Sequence, residues 1–157
     1  PPFGPQLRAL WKAGVDLGLI MQIHFEPHYL GGFSPLIEEF TGTPVLVDNL
    51  GRPLFATTEE YAAVLRLAKH PHVYMKLSAL PNPNEYPFRD VAPMVRQLVD
   101  AFGAERLVWG GAYGAGATPE SYRAGREAIL RHVAHLDGAA QAAILGGTAL
   151  KLFRFDS

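Results

Sequence analysis

The chain has 157 residues, 48% of them hydrophobic and 18% charged, with a formal net charge of −1 and no cysteine. That balance suits one globular domain with its own core. It gives no footing to a nucleic-acid partner, since no basic run or basic–aromatic stripe appears, and the missing thiols remove disulfides and cysteine metal sites. Apolar runs stay well short of about 18 residues, so no membrane partner is expected and the cytoplasm is the expected compartment. The first residues, Pro1-Pro2-Phe3, read as a mature or excerpted piece of something longer.

In chain order, residues 7–13 have helical spacing and precede a short apolar run at 19–25. Leu36, Ile37 and Phe40 predict a short helix that ends before Gly42, followed by a second apolar run at 44–49. A stripe of Tyr61, Val64, Leu65 and Ala68 predicts a helix starting near Thr58 and Glu60. A third apolar run covers 72–77, and the Pro/Asn stretch 81–87 is too irregular for an element. Val91, Val95, Leu98, Val99 and Phe102 form the next helical stripe, stopped by Gly103 at a C′ position. The fourth run is 106–109, and a small-residue loop at 114–118 follows it. Pro119 opens a helix to about His135, and Asp137 can cap a last one over 139–145.

Four short runs, apolar on both faces and alternating with helices, predict α/β architecture with a parallel sheet. No internal repeat or low-complexity linker divides the chain, so residues 1–157 form one domain. In such sheets ligands bind beyond the carboxyl ends of the strands. The four runs end at His24, at Asp48-Asn49-Leu50-Gly51-Arg52-Pro53, at Lys76-Leu77-Ser78 and at Gly110-Gly111-Ala112. Polar residues at three of those ends converge on one rim.

The motifs at these ends resemble, in order, the later strands of the amidohydrolase-related TIM-barrel family. Gln22-Ile23-His24 is similar to its fifth-strand motif. Residues 45–53 resemble the sixth, usually Asp-His-X-Gly and often followed by Arg-Pro. His72-Val73-Tyr74-Met75-Lys76-Leu77-Ser78 resembles the seventh. Residues 102–113 resemble the eighth, where the family carries Gly-Ser-Asp-aromatic, and residues 144–153 resemble the closing Gly-Asn-Ala segment. The Gly-Arg-Pro and Lys-Leu-Ser forms lean toward the branch of pyrone-dicarboxylate and sugar lactonases.

The resemblance implies strands five to eight of a TIM barrel, a fold that takes typically about 250 residues when complete. The first strand, which carries the family's His-X-His pair, is absent from the sequence. A partner is therefore expected, either an N-terminal half-barrel or further copies of the chain. The implied ancestral reaction is hydrolysis of a small acidic lactone or ester by activated water, expected to be impaired in this chain because Asn49 and Ala112 replace the family His and Asp. A decarboxylase-branch lyase is one alternative. A non-catalytic member that binds a small acid or serves as an interaction module is another. A divalent metal such as zinc occurs in the family, but this chain alone lacks a full ligand set.

Each candidate residue also has a plainer reading. By resemblance His24 is a metal ligand or polarises a substrate carbonyl; otherwise it is a hydrogen-bonded core histidine. Asn49 stands where the family has His and cannot act as a base; it bonds substrate or neighbouring backbone. Strand alternation puts Asp48 on the side away from Asn49, in a structural role. Arg52 offers bidentate carboxylate recognition or a surface ion pair. Lys76 is a candidate substrate-binding residue or one that orders the rim, and inside a barrel it needs a carboxylate or carbonyl partner. Ser78 binds substrate at most, because it lacks His and Asp partners for nucleophilic work. Ala112 replaces the family Asp and so lacks any base or ligand capacity. His28, His70, His72, His132 and His135 suit solvated or capping roles.

Overall fold

The computed structural model describes residues 4–80, 84, 89–111, 114 and 116–155. Four strands, β1 (Met21–Ile23), β2 (Val45–Val47), β3 (Val73–Leu77) and β4 (Leu107–Trp109), form one sheet in the order β1-β2-β3-β4. All three pairings are parallel, and each strand lies beside its neighbour in sequence. The helices between them are α1 (Pro5–Asp16), α2 (Leu30–Glu39), α3 (Thr58–Leu65), α4 (Ala92–Phe102) and α5 (Pro119–His132). The chain closes with α6 (Gly138–Ala142), a π turn over Ala143–Gly147, and α7 (Thr148–Leu152).

Strand alternation sorts the sheet into two unlike faces. Ile23, Val45, Val47, Val73, Met75, Leu77 and Leu107 point into one core cluster with Trp11, Ile37, Val64, Leu98 and Ile129 from the helices. On the other face Gln22, Leu46 and Tyr74 lie in register, and Lys76 lies beside Val108. That second face mixes apolar and polar side chains and carries none of the helices' core cluster. A fully wound α/β sheet would bury both faces. Here one face is built as the inside of a barrel.

Local chemistry accounts for most of the element boundaries. Thr57 and Glu60 make a reciprocal capping box at the start of α3, at 3.3 and 2.8 Å. Asp137 accepts from the Ala140 N–H at 2.8 Å and starts α6. Gly103, at φ 71°, ends α4. Two expectations shift. The short helix over Leu36–Phe40 extends back to Leu30, through Gly31, Gly32 and Pro35, residues whose low helix propensity hides it in the sequence. The single last helix is broken by the π turn, where Gly146 departs from helical geometry. The loop expected at 81–87 lies almost entirely outside the described residues.

Candidate functional site at the carboxyl ends of the strands

The chain leaves β2 in an unusual way. Asn49, Leu50, Gly51 and Arg52 all take left-handed backbone, with φ of 52°, 56°, 68° and 55°. Asn and Gly tolerate that region, whereas Leu50 and Arg52 each carry strain on the order of 1–3 kcal/mol. Such strain persists only where the surroundings over-determine it. Leu50 is buried, the Tyr61 hydroxyl donates to its carbonyl at 2.9 Å, and a Cβ added at Gly51 would meet Val64 Cγ1 at 2.5 Å.

This turn delivers two side chains to one imidazole. Arg52 Nη1 lies 3.0 Å from His24 Nε2, and Asn49 Nδ2 lies 3.4 Å from His24 Nδ1. A guanidinium can only donate, so Nε2 is the accepting nitrogen and Nδ1 carries the hydrogen. A half-turn of the Asn49 amide then reconciles the contacts on both ring nitrogens. Its oxygen accepts from Nδ1–H, and its NH2 donates to Ser78 Oγ, which sits 2.7 Å from the amide. Arg52 is further held by Phe55, 4.1 Å from guanidinium carbon to ring centroid, and faces Glu26 at 3.9 Å.

Asp48 joins the same group. Its Oδ2 accepts from Gln22 Nε2 at 2.9 Å and lies 3.9 Å from His24 Nδ1, while Oδ1 has the Lys76 ammonium at 3.1 Å. Alternation places Asp48 with Gln22 and Lys76 on the open face. Asn49 would point away from them, but its left-handed backbone turns it back. The expected separation of Asp48 from Asn49 therefore fails, because β2 ends at Val47 and the period-two rule ends with it. Asp48, taken from the sequence as structural, is a neighbour of the site.

A cavity of about 200 Å³ opens against these residues, lined by His24, Asn49, Leu50, Arg52, Phe55 and Val91 among others. A second depression, with Phe25, Glu26, Tyr29 and Phe33, shares His24 and Arg52 as its wall. Ser78 is buried beside Asn49, and Lys76 reaches the site through Asp48. A Cβ at Gly110 would meet Lys76 Cε at 2.5 Å, so this glycine leaves room for the lysine stem. His28 lies in the short 3-10 turn Pro27–Tyr29 and packs on Tyr29, apart from His24. Ala112 lies outside the described residues.

Among the described residues the donor set does not by itself fit a metal. No group of three or more His, Cys, Asp or Glu side chains among the described residues could hold one. His24 is the only imidazole in the group, and its one lone pair faces a cation, Arg52.

A parallel four-stranded sheet with polar side chains gathered at its carboxyl ends and one open face has the form of part of a barrel, a class of fold in which ligands bind on the strand-end rim. The family model described as Amidohydrolase matches residues 1–155, and the chain belongs to that family. It is 30% identical to an L-fucono-1,5-lactonase of Burkholderia ambifaria, over 63% of this chain and 37% of that one. An amidohydrolase from Burkholderia multivorans, crystallised with bound zinc, superposes with a TM-score of 0.77 at 21% identity. The match covers 92% of this chain and 56% of that one. A putative 2-pyrone-4,6-dicarboxylic acid hydrolase from Pseudomonas putida gives 0.72 at 21% identity, over 95% and 56%. The chain thus spans 37% of the curated relative and somewhat more than half of these solved chains, as a partial barrel. The architecture is half of a TIM barrel, strands five to eight.

Proposed function

We propose that this chain forms the carboxylate-holding half of a hydrolase site for a small acidic lactone or ester. The observation that carries the reading is Arg52, stacked on Phe55 and set 3.0 Å from His24 Nε2 at the mouth of the strand-end cavity. A substrate carboxylate would take the guanidinium in bidentate fashion. Arg52 would then leave His24, and the freed Nε2, an acceptor, would face water or the acyl carbon's neighbourhood.

With that polarity His24 acts as a base rather than as the donor that polarises a carbonyl. Water attacks the acyl carbon and its proton passes to Nε2; as the acyl carbon–oxygen bond breaks, the imidazolium returns that proton to the ring or ester oxygen, which leaves as the alcohol. Asn49 keeps the imidazole in this tautomer, and Ser78 anchors Asn49. Lys76 neutralises Asp48, which lies on the Nδ1 side. Half of the pocket is proposed to come from an N-terminal half-barrel, in the same or another chain, that covers Gln22, Tyr74 and Lys76.

The test uses the intact protein with a sugar lactone and a pyrone dicarboxylate lactone as substrates. Arg52→Ala should raise KM for the acidic substrate far more than it lowers kcat, and Arg52→Lys should not restore it. His24→Gln should lower kcat by about 10²–10⁴-fold, the usual contribution of a general base. Equal losses for neutral and acidic substrates in Arg52→Ala would defeat the carboxylate assignment.

A second reading, a binder without turnover, is favoured by one observation. Asn49 stands where the family has His, and Ala112 where it has Asp. Calorimetric binding of a small dicarboxylate, with no hydrolysis of any lactone, would select it. Activity gained by Asn49→His with Ala112→Asp would then mark the replaced positions as the cause.

A further inference from the structure

The turn that carries Asn49 and Arg52 does not hold itself. Its own backbone bonds use the carbonyls of Asp48 and Asn49, accepting from Gly51 N–H at 2.9 Å and Arg52 N–H at 2.8 Å. The Leu50 carbonyl is left over, and Leu50 is a buried residue at φ 56°. The group that reaches it is the Tyr61 hydroxyl, at 2.9 Å, from the inward face of α3. Tyr61 is 7% exposed as a whole residue, so a phenylalanine would fill the same space without bringing a polar atom inside. Burial also holds the phenol well above its ordinary pKa, so the group stays a donor. On the far side of the turn, Val64 of the same helix closes against Gly51. Helix α3 is in turn fixed at its start by the Thr57–Glu60 box.

We infer that Tyr61 is a positioning residue: by holding the Leu50 carbonyl, its hydroxyl fixes the left-handed turn that sets Asn49 and Arg52 on the two ring nitrogens of His24. Tyr61 touches neither the imidazole nor the cavity beside it. Its effect passes through the backbone of residues 49–52. A single hydroxyl thereby selects the tautomer of His24 from 11 residues away from Leu50 in sequence. The inference rests on the reading of His24, Asn49 and Arg52 as the working site.

The experiment compares Tyr61→Phe with Thr148→Val in the intact protein. Thr148 also donates a buried hydroxyl to a backbone carbonyl, that of Ala104 at 3.3 Å, but at the other end of the sheet. The two variants remove the same kind of bond, so a purely structural role predicts the same behaviour for both. The first readout is the nitrogen-15 spectrum of the His24 ring, which distinguishes Nδ1–H from Nε2–H. In the parent protein and in Thr148→Val a single Nδ1–H pattern is expected; in Tyr61→Phe the two tautomers should average. The second is kcat/KM on the lactone substrates, expected to fall about tenfold or more in Tyr61→Phe alone. Should Tyr61→Phe fail to fold, Gly51→Ala disturbs the same turn from the Val64 side and should give the same averaged spectrum. An unchanged Nδ1–H pattern in the turn variant, or the same change in Thr148→Val, overturns the inference. If the parent protein hydrolyses no lactone or ester, the proposed function fails, while the ring spectrum still decides the role of Tyr61.

Discussion

Lys76 shows how far single residues can be read. A lysine at the end of an apolar run needs a partner, and that need is visible in the sequence. The partner's identity is not. Asp48 lies 28 positions upstream, and the alternation rule that would orient it gives way one residue later, where Asn49 turns left-handed. The ammonium lies 3.1 Å from Oδ1 without hydrogen-bond alignment, so it acts there as a neutralising charge. With side chains 27% and 14% exposed, the pair is neither a solvated surface bridge nor a sealed one. Lys76→Met should therefore cost about 1–2 kcal/mol, less than a fully buried pair broken on one side. Urea midpoints would measure it, and Asp48→Asn in the Lys76→Met background should recover part of the loss. The contacts around His24 were equally hidden, because φ at positions 49, 50 and 52 has no marker in residue type beyond Asn49 and Gly51.

At the scale of elements the helices were legible where capping and apolar spacing agree, as in α3, α4 and α5. They were not legible where packing overrides propensity, as in the glycine- and proline-bearing start of α2. Since α3 carries Tyr61 and Val64, its stability bears on the site. Thr57→Ala removes half of the capping box and should cost about 1 kcal/mol, read as a lower thermal midpoint. Helix α5 ends in His132, whose pKa is lowered by burial and by Arg131 and Arg96, against an opposing pull from Asp90. His70 is shifted the same way by burial, Lys69 and His72, with Glu38 opposing. A base depressed in the folded state is protonated more readily when unfolded. Stability is therefore full above the ordinary histidine value of 6.5 and falls as pH drops through the folded value. Urea midpoints should decline as pH falls below about 6.5, and His132→Gln should flatten that decline.

The whole molecule is where the sequence says most and is most incomplete. Four apolar runs and their order were enough to predict a parallel α/β sheet, and the resemblance of the strand-end motifs to a barrel family added that it is half of a barrel; the structure has that form. What the runs could not show is how the inner face would look without its other half. Gln22, Tyr74 and Lys76 remain partly open, and β1 and β4 each pair on one side only among the described residues. Exposed Leu10 lies on α1, Leu17 just past its end and Leu150 on α7. Unpaired edges beside apolar surface favour association. The 157-residue chain by itself should sediment as dimers or larger species; a monodisperse monomer with one cooperative unfolding transition would contradict this.

The strictly sequential strand order also governs how the chain can reach this form. Each strand pairs with the one before it in sequence, so every step joins segments already near one another, at low loop-closure cost. The four units can add one at a time as the polypeptide emerges from its C-terminally growing synthesis, without waiting for any distant segment. Completing a ring is a different kind of event. It would join the final strand, β4, to the first strand of an N-terminal half-barrel, the one farthest from it in sequence, and it would come last. In a full barrel assembled this way, ring closure is the expected slow phase of refolding, preceded by an open sheet of which the four strands described here are one part.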